Sequence, residues 1–129
     1  MTTEQIFLYV LIALIVFYVI KKILLIKSIN HYSAQEASQK IKKERSVVLL
    51  DVRTDTERKQ GSIKGSHHIP ITSLASSTNE LKKFKDAEII CYCRTGSRSL
   101  NAAAKLKRLG FNASNLKGGL LRWNAAGLR

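Results

Sequence analysis

Hydrophobic positions follow two regimes along this chain. From Ile6 to Ile20 the run IFLYVLIALIVFYVI holds fifteen consecutive uncharged residues with no polar stripe. A helix that is apolar all round belongs in a large core or in lipid, and a chain of 129 residues offers little core of that kind. As a helix the run spans about 22 Å, short of a hydrocarbon layer of about 30 Å. Continuing past Lys21 and Lys22 to Ile26 gives about 31 Å, because lysines near a helix end extend their ammonium groups to the interface. The pattern predicts one transmembrane helix within an anchor segment, residues 1–27. A cleaved signal peptide would need a positively charged start and a small-residue cleavage site, whereas this chain opens MTTEQ and shows no Ala-x-Ala pattern. No Lys or Arg precedes the run while Lys21, Lys22 and Lys27 follow it. That bias predicts a single-pass protein of the inner (plasma) membrane with its C-terminal domain in the cytoplasm.

From residue 28 onward the pattern is short and alternating in type. Ser33-Ala34-Gln35-Glu36 reads as a capping box opening a helix to about Glu44, with Ala37 and Ile41 on one face. Val47 to Leu50, ending at Asp51, is a short β-branched run that suits a strand covered on both faces. Thr54 to Glu57 is a second capping box, with Gly61 as the stop. His67-His68-Ile69 is a short strand before Pro70, and Ser77 to Glu80 is a third box. Glu88 to Tyr92 is another strand, after which Leu100, Ala103, Ala104, Leu106 and Leu109 show helical spacing up to Gly110. Phe111 to Leu116 reads as a last strand, Gly118-Gly119 as a turn and Leu120 to Ala126 as a closing helix. This alternation predicts an α/β domain over 28–129, with a mainly parallel central sheet flanked by helices.

Those 102 residues are enough to bury a core. They hold nineteen of the 22 Lys/Arg and eight of the nine Asp/Glu, a net charge of +11. Such a domain beside an anionic leaflet is drawn to it, and it also attracts small anions and acidic partners. The cations stand singly or in pairs without interleaved aromatics, which argues against a nucleic-acid partner. The sequon Asn112-Ala113-Ser114 has no meaning in a cytoplasmic domain.

Both cysteines fall in CYCRTGSRS, Cys91 to Ser99. One intervening residue is too few for an unstrained disulfide. No zinc-type spacing joins Cys91, Cys93, His67 and His68, so no metal is expected. The stretch has the form strand, loop, helix, and in parallel sheets ligands bind where such loops enter helix N-termini. Gly96 permits the curvature that turns backbone N–H groups toward an anion. A thiol at Cys93 should ionise easily there, favoured by the helix end and by Arg94 and Arg98, and thiolate is a strong nucleophile. Cys91 reads as a buried strand thiol. Ser97 and Ser99 have hydroxyls within reach of the sulfur or its substrate, and a capping role for Ser99 is equally open.

CRTGSR at Cys93–Arg98, LLDVRTDTERKQGSIKGSHHIP at Leu49–Pro70 and LKGGLLRWNAAG at Leu116–Gly127 together resemble a single-domain rhodanese-like sulfurtransferase. The likeness covers about residues 30 to 127. It implies a rhodanese-like domain that takes the outer sulfur of thiosulfate, or of a similar small anionic donor, onto a cysteine as a persulfide. The sulfur then passes to cyanide or a thiol acceptor, with no cofactor. By motif position Cys93 is the nucleophile, and Arg94, Thr95, Gly96, Ser97 and Arg98 form the substrate cradle. Gly61-Ser62-Ile63 departs from the family's usual Gly-His-Ile. Asp51 and Arg53 match its Asp-Val-Arg segment as scaffold, and Trp123 matches a late packing tryptophan. Two other functions stand beside this one. A membrane-tethered rhodanese-fold interaction module with little turnover would hold a protein partner at the membrane. A phosphatase or arsenate reductase would share the layout, but those loops place five residues between Cys and Arg, against four here.

Overall fold

The two apolar runs pair with each other. In the computed structural model, which describes all of residues 1–129, Val47–Asp51 (β2) and Glu88–Tyr92 (β4) lie parallel along their full length, Val47 opposite Glu88 and Asp51 opposite Tyr92. Asn112–Leu116 (β5) adds to the other side of β4. Two short strands close the edges, His31–Tyr32 (β1) beside β5 and His67–His68 (β3) beside β2. The order is β1-β5-β4-β2-β3 and every pairing is parallel.

The central strands face a core on each side, which is why their sequences are continuously apolar rather than alternating. Leu50, Ile89 and Cys91 meet Ala102, Ala103 and Leu106 of helix α5, Ser97–Arg108. On the other face Leu49, Ile90 and Tyr92 meet Ala34 and Ala37 of helix α2, Ala34–Lys43, and Trp123 of helix α6, Gly119–Ala125. Trp123 is 3 % exposed, and its Nε1 has no hydrogen-bond acceptor in the protein.

The capping boxes at Ser33 and Thr54 form as expected, opening α2 and helix α3, Asp55–Gln60, which ends at Gly61. The third does not. Ser77 is drawn into a turn by its N–H bond to the Leu74 carbonyl, and its backbone leaves the extended region in which a side chain reaches back to cap. Helix α4 is accordingly one turn, Thr78–Leu81, followed by a 3-10 turn at Lys82–Phe84. Leu109, placed by its spacing on the buried face of α5, lies one residue beyond the helix and is 43 % exposed. Strand β1 was not foreseen. Its two residues show no hydrophobic alternation, and it exists because the Asn115 N–H donates to the Asn30 carbonyl and the Lys117 N–H to the Tyr32 carbonyl.

Helix α1, Thr3–Lys27, is capped by Thr2 and Gln5, contains no buried residue, and is long and apolar enough to cross a membrane. Only its foot touches the domain: Leu25 packs on the core beside Ile29.

Candidate active site

Strand β4 ends at Tyr92 and the next residue, Cys93, begins the turn into α5. Gly96 makes that turn at φ +110°, a region unfavourable to any residue with a Cβ, and an added Cβ would approach the Gly118 nitrogen to 3.3 Å. The turn folds back over the sulfur. Cys93 Sγ accepts hydrogen bonds from the N–H groups of Gly96 (3.0 Å) and Ser99 (3.4 Å), and it lies 3.4 Å from Ser99 Oγ. The residue is 1 % exposed.

Burial alone would raise the Cys93 pKa. The hydroxyl and N–H of Ser99, with the N–H groups of Gly96 and Thr95, outweigh it and hold the thiol below its ordinary value. Cys91, two residues earlier on the same strand, has no such donors, and burial pushes its pKa far up. The two thiols therefore differ in reactivity because of backbone geometry, not residue type.

Ser99 is the third residue of α5, so it is not the helix cap. Its hydroxyl donates to Asn115 Oδ1 at 2.6 Å, and Asn115 Nδ2 is 3.2 Å from His31 Nδ1 on β1. A serine has one hydroxyl hydrogen, so Asn115 and the sulfur compete for it.

Arg94, Thr95 and Ser97 stand exposed at the rim. The N–H groups of Ser97 and Arg98, in the first turn of α5, have no acceptor in the protein and are available to an anion. Arg98 occupies the end of the loop, but its guanidinium already grips Glu57 of α3 with two bonds of 2.6 and 2.8 Å. Arg98 holds the Glu57 carboxyl down to about 2. Arg94 has no carboxylate partner, which leaves it as the loop's uncommitted cation.

The base of the loop is held from α6. The Leu120 and Leu121 N–H groups donate to the carbonyls of Cys93 (2.9 Å) and Arg94 (3.1 Å). Gly119 allows this approach, since a Cβ there would stand 2.5 Å from the Cys93 oxygen. Behind the loop Asp51, fully buried, accepts from the Arg53 N–H, Nε and Nη2, from Arg58 and from the Tyr92 hydroxyl. Arg53 carries this anchor onward to the Gly61 carbonyl. His67 and His68 point elsewhere, the His67 ring packing at a tilt against Phe84 and His68 bonding the Arg53 carbonyl.

Two members of the site escaped the sequence reading. Glu57 is visible as the last residue of a capping box, a role it also fills through Thr54, but its pairing with Arg98 across 41 positions has no local signature. Asn115 sits on a strand whose pattern is otherwise only that of burial.

A family model described as a rhodanese-like domain matches residues 33–126. A sulfurtransferase of Allochromatium vinosum is 33% identical over 101 residues, covering 78% of this chain and 92% of the relative. A rhodanese-related protein from Thermoplasma volcanium superposes with a TM-score of 0.69 at 30% identity, over 78% of this chain and 95% of its own. A Rhodopseudomonas palustris protein described as of unknown function and a possible tyrosine phosphatase superposes with a TM-score of 0.73 at 26% identity, over 80% and 85%.

Proposed function

The chain belongs to the rhodanese-like domain family, and from that membership we propose that it is a sulfurtransferase carrying a sulfane sulfur on Cys93. The observation that carries this reading is the ring of donors on Cys93 Sγ, which favours thiolate in a buried position. Thiosulfate, or a similar small anionic donor, enters over the free N–H groups of Ser97 and Arg98, with Arg94, Thr95 and Gly96 around it. The Cys93 thiolate attacks the outer sulfur, the sulfur–sulfur bond to sulfite breaks, and sulfite leaves with the electron pair. The outer sulfur of the persulfide is then attacked by cyanide or an acceptor thiolate, and Cys93 departs as thiolate. The N–H groups of Gly96 and Ser99 stabilise the Cys93 thiolate where it attacks in the first step and where it departs in the second.

Phosphate chemistry is less well served. A phosphate ring would use the loop arginine as a bidentate clamp, and here that guanidinium is neutralised by Glu57. The four residues between Cys93 and Arg98 also leave a smaller ring.

Residues 1–27 serve in this proposal as a single-pass anchor, with residues 28–129 in the cytoplasm. A tag after Arg129 that is reached from the outer face of intact cells refutes that topology. For the chemistry, the full chain in detergent is exposed to thiosulfate and its intact mass measured. A gain of one sulfur atom, absent in Cys93→Ala, is expected. No gain from thiosulfate, polysulfide or a low-molecular-weight persulfide overturns the proposal.

A further inference from the structure

The apolar helix meets the domain at one particular end. Every residue from Thr3 to Leu24 is exposed, whereas Leu25 packs on the core and Ile29 is buried. Lys107, in the last turn of α5, donates from Nζ to the Ser28 carbonyl at 3.0 Å. Its neighbour Arg108 shares a cleft of about 300 Å³ with Tyr18, Lys21, Lys22 and Leu25. The C-terminus of α5 therefore lies beside the last charge-free turn of α1.

Because the strands are parallel, the segments that lead into β2, β4 and β5 share one end of the sheet. The foot of α1 leads into β1, α5 into β5, the turn at Lys82–Phe84 into β4, and α2 into β2. Lys85 ties two of these approaches together through a 2.9 Å bond to the Gly110 carbonyl. Lys82, Lys83, Lys85, Lys105, Lys107 and Arg108 all belong to this end, joined by Lys42, Lys43 and Arg45 from the end of α2. The acids there are Asp86, Glu44 and Glu88, and Lys40 pairs with Glu44 at 3.0 Å and with Glu88 at 3.4 Å. Cys93 is at the opposite end of α5, about 18 Å away along a helix of 12 residues.

We propose that this end of the domain is a docking face for anionic phospholipid headgroups, which seats the domain on the bilayer with the Cys93 loop turned away from it. The proposal rests on reading α1 as a membrane anchor. Charge complementarity selects the occupant: the cations come from three separate segment ends rather than from one pocket, so they match a plane of negative charge better than one acidic protrusion. Arg108, level with Tyr18 and Lys21, lies where the chain leaves the charge-free run, well within a Debye length of any headgroup.

The test uses the full chain in vesicles of phosphatidylcholine alone and of phosphatidylcholine with phosphatidylglycerol, treated with an amine-acetylating reagent and mapped by peptide mass spectrometry. Lys82, Lys83 and Lys105 are expected to react about fivefold more slowly in the anionic vesicles, with the difference removed by high salt. Lys117, which follows the C-terminal end of β5, should react equally in both. Equal reactivity of all these lysines in both vesicles, or protection confined to Lys117, overturns the docking face while leaving the anchor intact. Release of the chain from either vesicle by alkaline carbonate overturns the anchor itself, and this face with it.

Discussion

At the scale of single residues, the site is a competition for one hydrogen. The Ser99 hydroxyl donates to Asn115 while lying 3.4 Å from the Cys93 sulfur, and ionisation of the thiol rewards its turning to sulfur. Ser99→Ala should therefore raise the pH midpoint for Cys93 alkylation by about one unit, the scale of a hydrogen bond to a charged group. An unchanged midpoint in a rate-versus-pH profile would show that the backbone N–H groups act alone. Cys93 was legible in the sequence because a nucleophile in a strand-loop-helix stretch has a local pattern. Asn115 was not, since its role depends on which strand lies beside the loop, and β5 reaches that place only through the crossover of α5.

Among elements, the junction of α6 with the loop is the most constrained. Gly119 at φ +58° lies against the Cys93 and Arg94 backbone, so Gly119→Ala must displace one of the two segments. We expect it to lose most sulfur uptake and to lower thermal stability. Gly127→Ala, at φ +72° but with open space around it, should cost only about 1 kcal/mol of backbone strain and leave uptake unchanged. Helix starts provide a second comparison. Ser33→Ala removes a formed cap and should cost about 1 kcal/mol in denaturant unfolding, whereas Ser77→Ala removes none and should cost almost nothing. The three boxes look alike in sequence. What separates them is the backbone before the helix, which at Ser77 is set by the turn back to the Leu74 carbonyl.

For the whole molecule, the parallel sheet and its two covered faces were legible because continuous apolar runs of strand length imply burial on both sides. The edge strand β1 carried no such signal. Acid behaviour also belongs at this scale, because the Glu57–Arg98 pair joins α3 to the start of α5. Glu57 has its carboxyl pKa depressed from 4.5 to about 2, so its contribution is complete above pH 4.5 and is lost as the pH falls through about 2. Both side chains are partly exposed, so the loss should loosen the loop rather than unfold the domain. A carboxyl NMR titration of Glu57 should give a midpoint near 2, and a midpoint near 4.5 would mean that the pair does not persist in solution.

Trp123 is the chain's single tryptophan, and the helix that carries it is the one whose first N–H groups bind Cys93 and Arg94. Excited where tyrosine does not absorb, the protein emits from one indole, enclosed in the core and a few residues along a rigid turn from the reactive loop. Any shift of that loop on taking up sulfur is transmitted to the fluorophore. The molecule thus contains its own optical gauge: an emission change on loading is expected wherever sulfur uptake moves the loop, and an unchanged spectrum on addition of thiosulfate would show that the loop keeps its position.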